Sequence, residues 1–424
     1  SMPLSNNIVL RSVSLSIYRL LGRRPYRNGL FPLSGEPVHY GHVATVEQAL
    51  EICDHVIVLL MQNSGKTSTF TLDERLMHAR LAFRRIDPSR VTILASDGVM
   101  VDEFERLGCD VLIRGVRDRK DADYERDYVE AQRNLFPWFA NAAVEILPAR
   151  GAYKTISSSQ IREGVRHYVA VDRFVPVSTH QLLQEKAHGQ YLIGVTGGIA
   201  SGKTSAVKMF MEYLRVTCGI ATHALAVDQL VREVYADPCS GCQNIRNTLA
   251  ERFGTRVLTA NRGDVNRAFL AECLFADTPA AAEDRRFVEE LTLPAVRRLF
   301  RERLKNIRRL DPPGKKQLIF IEWAQPVASG LARWSNNNVI VVGAPEAERA
   351  KAIEQRQISD ERLKTTCAIQ GTSAQIETQL NNQIARDGAG QVVWFTNRWF
   401  SSSSDVQADL VRLAAALAEM FPAL

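Results

Sequence analysis

No stretch of the 424-residue sequence stays apolar long enough to span a bilayer, because polar and charged residues interrupt every hydrophobic run. Nothing in it reads as a transmembrane helix, and no membrane partner is expected. A basic run with interleaved aromatics is also missing. The formal net charge of +6 is spread over the whole chain, a balance that suits small anionic substrates and gives no nucleic-acid surface. The seven cysteines are odd in number and lack framework spacing, which excludes a disulfide scaffold and points to a reducing, cytoplasmic setting. Cys239 and Cys242 form a close pair that reads as redox-active or as half of a metal site. No second pair or neighbouring histidine completes a zinc set, so zinc is not expected. Acidic residues are absent before Glu36, while Arg11, Arg19, Arg23, Arg24 and Arg27 stand among serines. That composition has the flavour of an organelle leader, but residues 8–21 also fit an amphipathic helix, which is the reading preferred for an extension over residues 1–26. The leading Ser1-Met2 reads as a remnant of tag removal.

What is present is a chain long enough for two or three domains, with the 46% hydrophobic and 24% charged content of globular proteins. Its organising feature is the run Gly197-Gly198-Ile199-Ala200-Ser201-Gly202-Lys203-Thr204, preceded by an apolar strand from residue 191 and followed by a helical pattern. This is a phosphate-binding loop. The glycines let successive N–H groups face inward, Lys203 reaches the β and γ phosphates, and the Thr204 hydroxyl is a Mg²⁺ ligand. Such a loop opens its own domain, so a separate one must precede it.

In that first half, strand patterns at residues 56–60, 91–94 and 111–114 alternate with helical ones, which predicts an α/β domain with a parallel sheet and ligands beyond the carboxyl ends of its strands. His39-Tyr40-Gly41-His42 lies just before a helix expected near Val43. Two imidazoles at a helix start can donate to a phosphate, or simply cap the helix.

The run of residues 27–66 resembles the bacterial phosphopantetheine adenylyltransferases. So do Val111 to Arg117 with Asp121, Tyr124 and Glu125, the segment Ile156-Ser157-Ser158-Ser159-Gln160-Ile161-Arg162, and a closing segment over residues 174–186. The resemblance implies a Rossmann-like nucleotidyltransferase fold over residues 27–188. It places His42 on the pentacovalent α-phosphate and Lys66 and Arg114 on the incoming phosphate, with Ser34 and Met100 beside that substrate. ATP would then be held by His39, Gly115, Arg117, Glu125, Tyr153, Ile156, Ser157, Ser158 and Ser159. Glu36 and His39 replace a family aspartate and threonine. A nicotinamide mononucleotide adenylyltransferase is the rival within the same superfamily.

In the second half, a strand over residues 221–226 runs into Asp228 before a helix. That carboxylate can take the proton of an acceptor hydroxyl, bind Mg²⁺ through water, or cap the helix. Thr196 to Thr204, Asp228 and Val231-Arg232-Glu233-Val234 are similar to dephospho-coenzyme A kinase, which implies a P-loop kinase fold over residues 189–424. That resemblance makes Lys203 and Asp228 catalytic and puts Arg356 in a lid over ATP. Leu293 stands where that family has a histidine and Lys351 where it has an arginine, so a half that binds nucleotide but phosphorylates weakly, or regulates the first, is the alternative.

Two halves that resemble enzymes of consecutive reactions suggest one protein for the last two steps of coenzyme A synthesis. Its substrates would be 4′-phosphopantetheine, dephospho-coenzyme A and ATP, with Mg²⁺. Association of copies through the first half is left open.

Overall fold

A computed structural model describes residues 22–62, 68–324, 330–398 and 403–424. These fall into two compact units, one of residues up to 165 with 171–179, the other of residues 166–170 with 180–424.

The first unit is a five-stranded parallel sheet in the order β3-β2-β1-β4-β5, with β1 Tyr26–Leu33, β2 Cys53–Met61, β3 Val91–Ser96, β4 Val111–Val116 and β5 Ala143–Pro148. The crossovers carry helices α1 Tyr40–Ala49, α2 Leu72–Phe83, α3 Met100–Arg106 and α4 Arg119–Leu135, with α5 Ser158–Arg166 after the last strand. Helices on both faces explain why the middle of β1 is buried throughout. Phe31 joins Val46, Val58 and Phe83 in one apolar layer, while its neighbour Leu30 joins Leu59, Leu112 and Phe139 in the other, as the period of two along a strand requires. The strand order reverses between β1 and β4, so the crevice beyond their carboxyl ends is where a ligand fits.

The second unit repeats this plan with a different strand order, β10-β9-β6-β8-β7, again wholly parallel. Its strands are β6 Gln190–Thr196, β7 Ala221–Ala226, β8 Gln317–Glu322, β9 Asn338–Gly343 and β10 Gln391–Thr396. Helix α6 Val177–His188 precedes β6, and α7 Lys203–Cys218 follows it. Helices α8 Val227–Ala236, α9 Ser240–Phe253, α10 Arg267–Leu274 and α11 Pro279–Arg308 lie between β7 and β8, α12 Glu346–Gln355, α13 Asp360–Gln370 and α14 Ser373–Asp387 between β9 and β10, and α15 Ser403–Met420 after them. Every residue of β6 is buried. Ile193 packs with Phe210, Phe320 and Leu413 on one face, and Leu192 with Leu230, Val296 and Trp323 on the other.

The α/β class and both parallel sheets are as the sequence predicts; two boundaries differ. Strand β1 begins at Tyr26, inside the expected extension, because Tyr26 pairs with Cys53 and its hydroxyl donates to Glu145 at 2.7 Å. Helix α6, expected to close the first half at residue 188, belongs from His180 onward to the second unit. The His180 ring donates to Asn336 at 2.6 Å, Asn336 donates to Gln184 at 2.8 Å, and Asn338 donates to Gln181 at 2.9 Å. These polar pairs have no signature in a local pattern. The expected helix at residues 8–21 and Ser1-Met2 lie outside the described residues. Among those described, no helix is long and apolar enough to cross a membrane.

Phe320 is fully buried on β8, beside the central strand of the second sheet, with its ring 5.9 Å from that of Phe210. Phe320→Ala is expected to lower the stability of that unit by about 3–5 kcal/mol through the cavity it leaves, measured by urea unfolding.

Candidate active sites

In the first unit, β1 delivers the chain to a loop that ends at His39, the N-cap of α1. The helix starts at Tyr40, earlier than expected, so both histidines lie within its first turn. The Gly41 N–H donates to His39 Nδ1 at 3.1 Å, and the His39 N–H donates to His42 Nδ1 at 3.2 Å. The rings stack with centroids 3.8 Å apart. A side chain at Gly41 would put Cβ 2.8 Å from the His39 ring, so the stack requires glycine there.

Burial, with the nearby Arg117 cation adding to it, lowers His39 to about 4. Burial, then His39 and Arg117, holds His42 well below the ordinary imidazole range. Both rings are therefore neutral at physiological pH. Because each Nδ1 is accepting, each ring proton sits on Nε2. Capping the helix and donating to a phosphate are thus compatible: one nitrogen does each.

Ser34, Met100 and Arg114, expected around the incoming substrate, line one cavity of about 580 Å³ at the carboxyl ends of β1 and β4, together with Tyr124 and Tyr128. Arg114 donates to both oxygens of Glu125 at 2.5 and 2.8 Å. Glu125, expected on ATP, thereby orients Arg114. Arg117 pairs with Asp121 at 2.7 Å. Gly115 lets α1 come close to β4, since a Cβ there would lie 2.9 Å from Thr45 Oγ1.

Tyr153, in the short turn Gly151–Thr155, has its Cβ 3.5 Å from where a Cβ on Gly41 would stand. Ile156 and Ser157 lead into α5. The Ser157 hydroxyl accepts the Gln160 N–H at 3.2 Å, and the Ser158 hydroxyl donates to Pro37 O at 2.9 Å. Ser159 accepts from Arg162 at 3.3 Å. Lys66 lies outside the described residues.

In the second unit, β6 runs directly into the glycine loop. A side chain on Gly197 would place Cβ 2.2 Å from Val342 O, and Gly202 has a left-handed φ of 77°. Gly198 donates its N–H to Ser373 Oγ at 2.8 Å, and Ser373 in turn donates to Val342 O at 2.9 Å. The buried Asn397 donates to the carbonyls of Gly202 and Ser201 at 3.1 and 3.3 Å. Arg349 donates to Ile199 O at 3.3 Å.

Lys203 opens α7 and donates to Gly197 O at 3.0 Å. Burial lowers it, with Arg356 adding to that effect and Glu322 and Asp228 opposing it. Thr204 Oγ1 donates to Glu322 at 2.6 Å. A hydroxyl and a carboxylate side by side are the hard oxygen donors that suit Mg²⁺.

Ile199, Ala200, Lys203, Asp228 and Arg356 line a common cavity of about 1320 Å³. Asp228 also lines an adjoining cavity of about 550 Å³, with Thr292, Leu293 and Trp323. It stands within α8, whose N-cap is Ala226, so the helix-cap reading of Asp228 does not hold. Lys351 is exposed on α12, whereas Arg349 on the same helix reaches the loop.

Glu322, Arg349, Ser373 and Asn397 are the site residues that motif reading misses. Only Glu322 carries a local signal, an acid at the end of an apolar strand.

Two outcomes follow. The unfolded chain protonates His39 near its ordinary 6.5 and the folded one only near about 4. The first unit should therefore keep its full stability above about pH 6.5 and lose part of it as pH falls towards about 4. His39→Asn keeps a cap that does not titrate, and a shallower pH dependence in urea unfolding is expected. Gly197→Ala should cost the second unit at least about 1–3 kcal/mol by overpacking and abolish ATP binding, read by calorimetric titration.

The comparisons agree with this division. Residues 191–389 match the family model for dephospho-CoA kinase, and residues 35–164 the model described as cytidylyltransferase-like. The phosphopantetheine adenylyltransferase of Rhizobium meliloti is 32% identical over 159 residues, which span 37% of this chain and 96% of the relative. That of Brucella ovis is 30% identical over 156 residues, 36% of this chain and 93% of the relative. That of Oenococcus oeni is 29% identical over 157 residues, 37% of this chain and 96% of the relative. Over its first half the chain belongs to the phosphopantetheine adenylyltransferase family, joined on the same polypeptide to a dephospho-CoA kinase domain.

Proposed function

We propose that the chain carries out the last two steps of coenzyme A synthesis. The first unit transfers the adenylyl group of ATP to 4′-phosphopantetheine, giving dephospho-coenzyme A and pyrophosphate. The second phosphorylates the ribose 3′-hydroxyl of that product with a further ATP. The observation that carries this reading is the presence of two separate phosphate-directed helix starts, each with the charged groups its own reaction needs.

In the first reaction a phosphate oxygen attacks the α-phosphorus and the bond to pyrophosphate breaks. Negative charge grows on the α-phosphate, so catalysis is positioning and charge stabilisation without a covalent nucleophile. The neutral His42 donates its Nε2–H to that charge. Arg114, held by Glu125, faces the cavity where Ser34 and Met100 receive the incoming substrate, and Lys66 shares its phosphate. Gly115, Arg117, Tyr153 and the segment 156–159 surround the nucleotide.

In the second, the backbone N–H groups of residues 197–204 cradle the β and γ phosphates and Lys203 neutralises the γ oxygens. Arg356 closes on them from the lid. Asp228, between the two cavities, accepts the proton of the attacking hydroxyl. Thr204 and Glu322 are the residues that would hold Mg²⁺, which when bound draws charge from the transferring phosphate. The grip of Arg349 on Ile199 supports an active kinase despite Lys351, so a merely regulatory second half is not favoured.

The deciding assay supplies phosphopantetheine and ATP and follows pyrophosphate, dephospho-coenzyme A and coenzyme A together, with nicotinamide mononucleotide as the competing acceptor. His42→Ala should cut pyrophosphate release by about 10²–10³-fold and leave phosphorylation of supplied dephospho-coenzyme A intact. Lys203→Met should do the reverse. Loss of both activities in either variant would contradict two independent sites.

A further inference from the structure

Cys239 and Cys242 serve neither proposed reaction, yet they are built into a defined cluster. Cys239 is exposed and is the N-cap of α9, whereas Cys242, one turn on, is buried in the core shared by α8, α9 and α11. The Cys242 N–H donates to Cys239 Sγ at 3.4 Å, and the Cys239 N–H donates to Asp237 at 2.8 Å. Both sulfurs and an Asp237 oxygen lie within 4.8 Å of one another. Arg298, on α11, sets its guanidinium 3.8 Å from Asp237 Oδ2.

Two chemistries compete for such a cluster. A divalent metal would find three ligands, but it would also meet the fixed positive charge of Arg298 and the positive end of α9. An exposed sulfur backed by a buried one, at a helix N-terminus, can close a disulfide with little movement of the chain.

We infer that Cys239 and Cys242 form a redox-active dithiol that reduces small aliphatic disulfides and closes to a Cys239–Cys242 disulfide in doing so. The Cys239 thiolate attacks one sulfur of the disulfide RSSR, forming a mixed disulfide and expelling one RS⁻, which takes a proton from solvent. Burial pushes the Cys242 thiol up to about 11, so it stays protonated until the mixed disulfide forms beside it. That proton passes to solvent, because Asp237, held below the usual carboxylate range by its hydrogen bonds from Cys239, is too weak a base to keep it. Cys242 attacks Cys239 Sγ, and the second RS⁻ leaves and takes a proton from solvent as the first did. The protein loses two electrons and two protons, and RSSR becomes two RSH. This inference goes beyond the adenylyl-transfer and kinase reading and does not depend on it.

The test uses the full chain in a Cys218→Ser background, because Cys218 is also exposed. Glutathione disulfide is the oxidant in one arm and pantetheine disulfide in a second. Both thiols of the pair should disappear together with a mass loss of about 2 Da and release of small thiol, reversed by dithiothreitol. Cys242→Ser should stop at a mixed disulfide on Cys239, and Cys239→Ser should stay unmodified at Cys242, with circular dichroism showing that both remain folded. A faster reaction with pantetheine disulfide would assign the oxidant to pantetheine-bearing thiols, and equal rates would assign general disulfide exchange. Persistent adducts on Cys239 in the unsubstituted pair, no mass loss in either arm, or stoichiometric zinc bound at the pair would overturn the inference.

Discussion

Both active ends rest on one steric constraint: a central parallel strand must release its chain into a helix start with no side chain in the gap. In the second unit the gap is set by Val342 O, which leaves no room for a Cβ on Gly197. In the first it is set by the His39 ring above Gly41. Only when those spaces are clear can backbone N–H groups and ring donors converge on an anion at the positive end of a helix. The apolar layers on both faces of β1 and β6 hold the strands in place, and the anion chemistry follows from where they stop.

The two ends then use charge in opposite ways. The histidine pair stays neutral, because burial and Arg117 disfavour a second ring proton while each Nδ1 accepts from the backbone, which leaves the single proton of each ring on Nε2. The glycine loop instead concentrates ionised groups, with Lys203 set among Glu322, Asp228 and Arg356. A neutral donor suits charge that appears only in the transition state. A fixed cation suits phosphates that carry their charge throughout.

What the sequence makes legible is what is local. The glycine loop, the histidine turn and the alternation of apolar runs each lie within a few residues, and each fixes an element or a ligand. Ser34, Met100 and Arg114 are named by resemblance, and the structure gathers them in one cavity. The bidentate grip of Glu125 on Arg114 is a tertiary contact without a local pattern, so it is seen only in the structure. Glu322 is only an acid at the end of an apolar strand until β8 is seen to end beside Thr204. The allegiance of α6 escapes for the same reason, since it is decided by amide side chains that meet Asn336 and Asn338 far along the chain.

Ser373 and Asn397 belong to segments far downstream of the loop, yet they hold Gly198, Ser201 and Gly202 by their backbone atoms. The loop sequence by itself is therefore an incomplete part. Grafted onto a foreign scaffold, residues 197–204 would arrive without the hydroxyl and the carboxamide that set their curvature, and without the neighbouring strand whose carbonyl dictates the first glycine. A transplant that retains the curve has to carry the equivalents of positions 342, 373 and 397 with it.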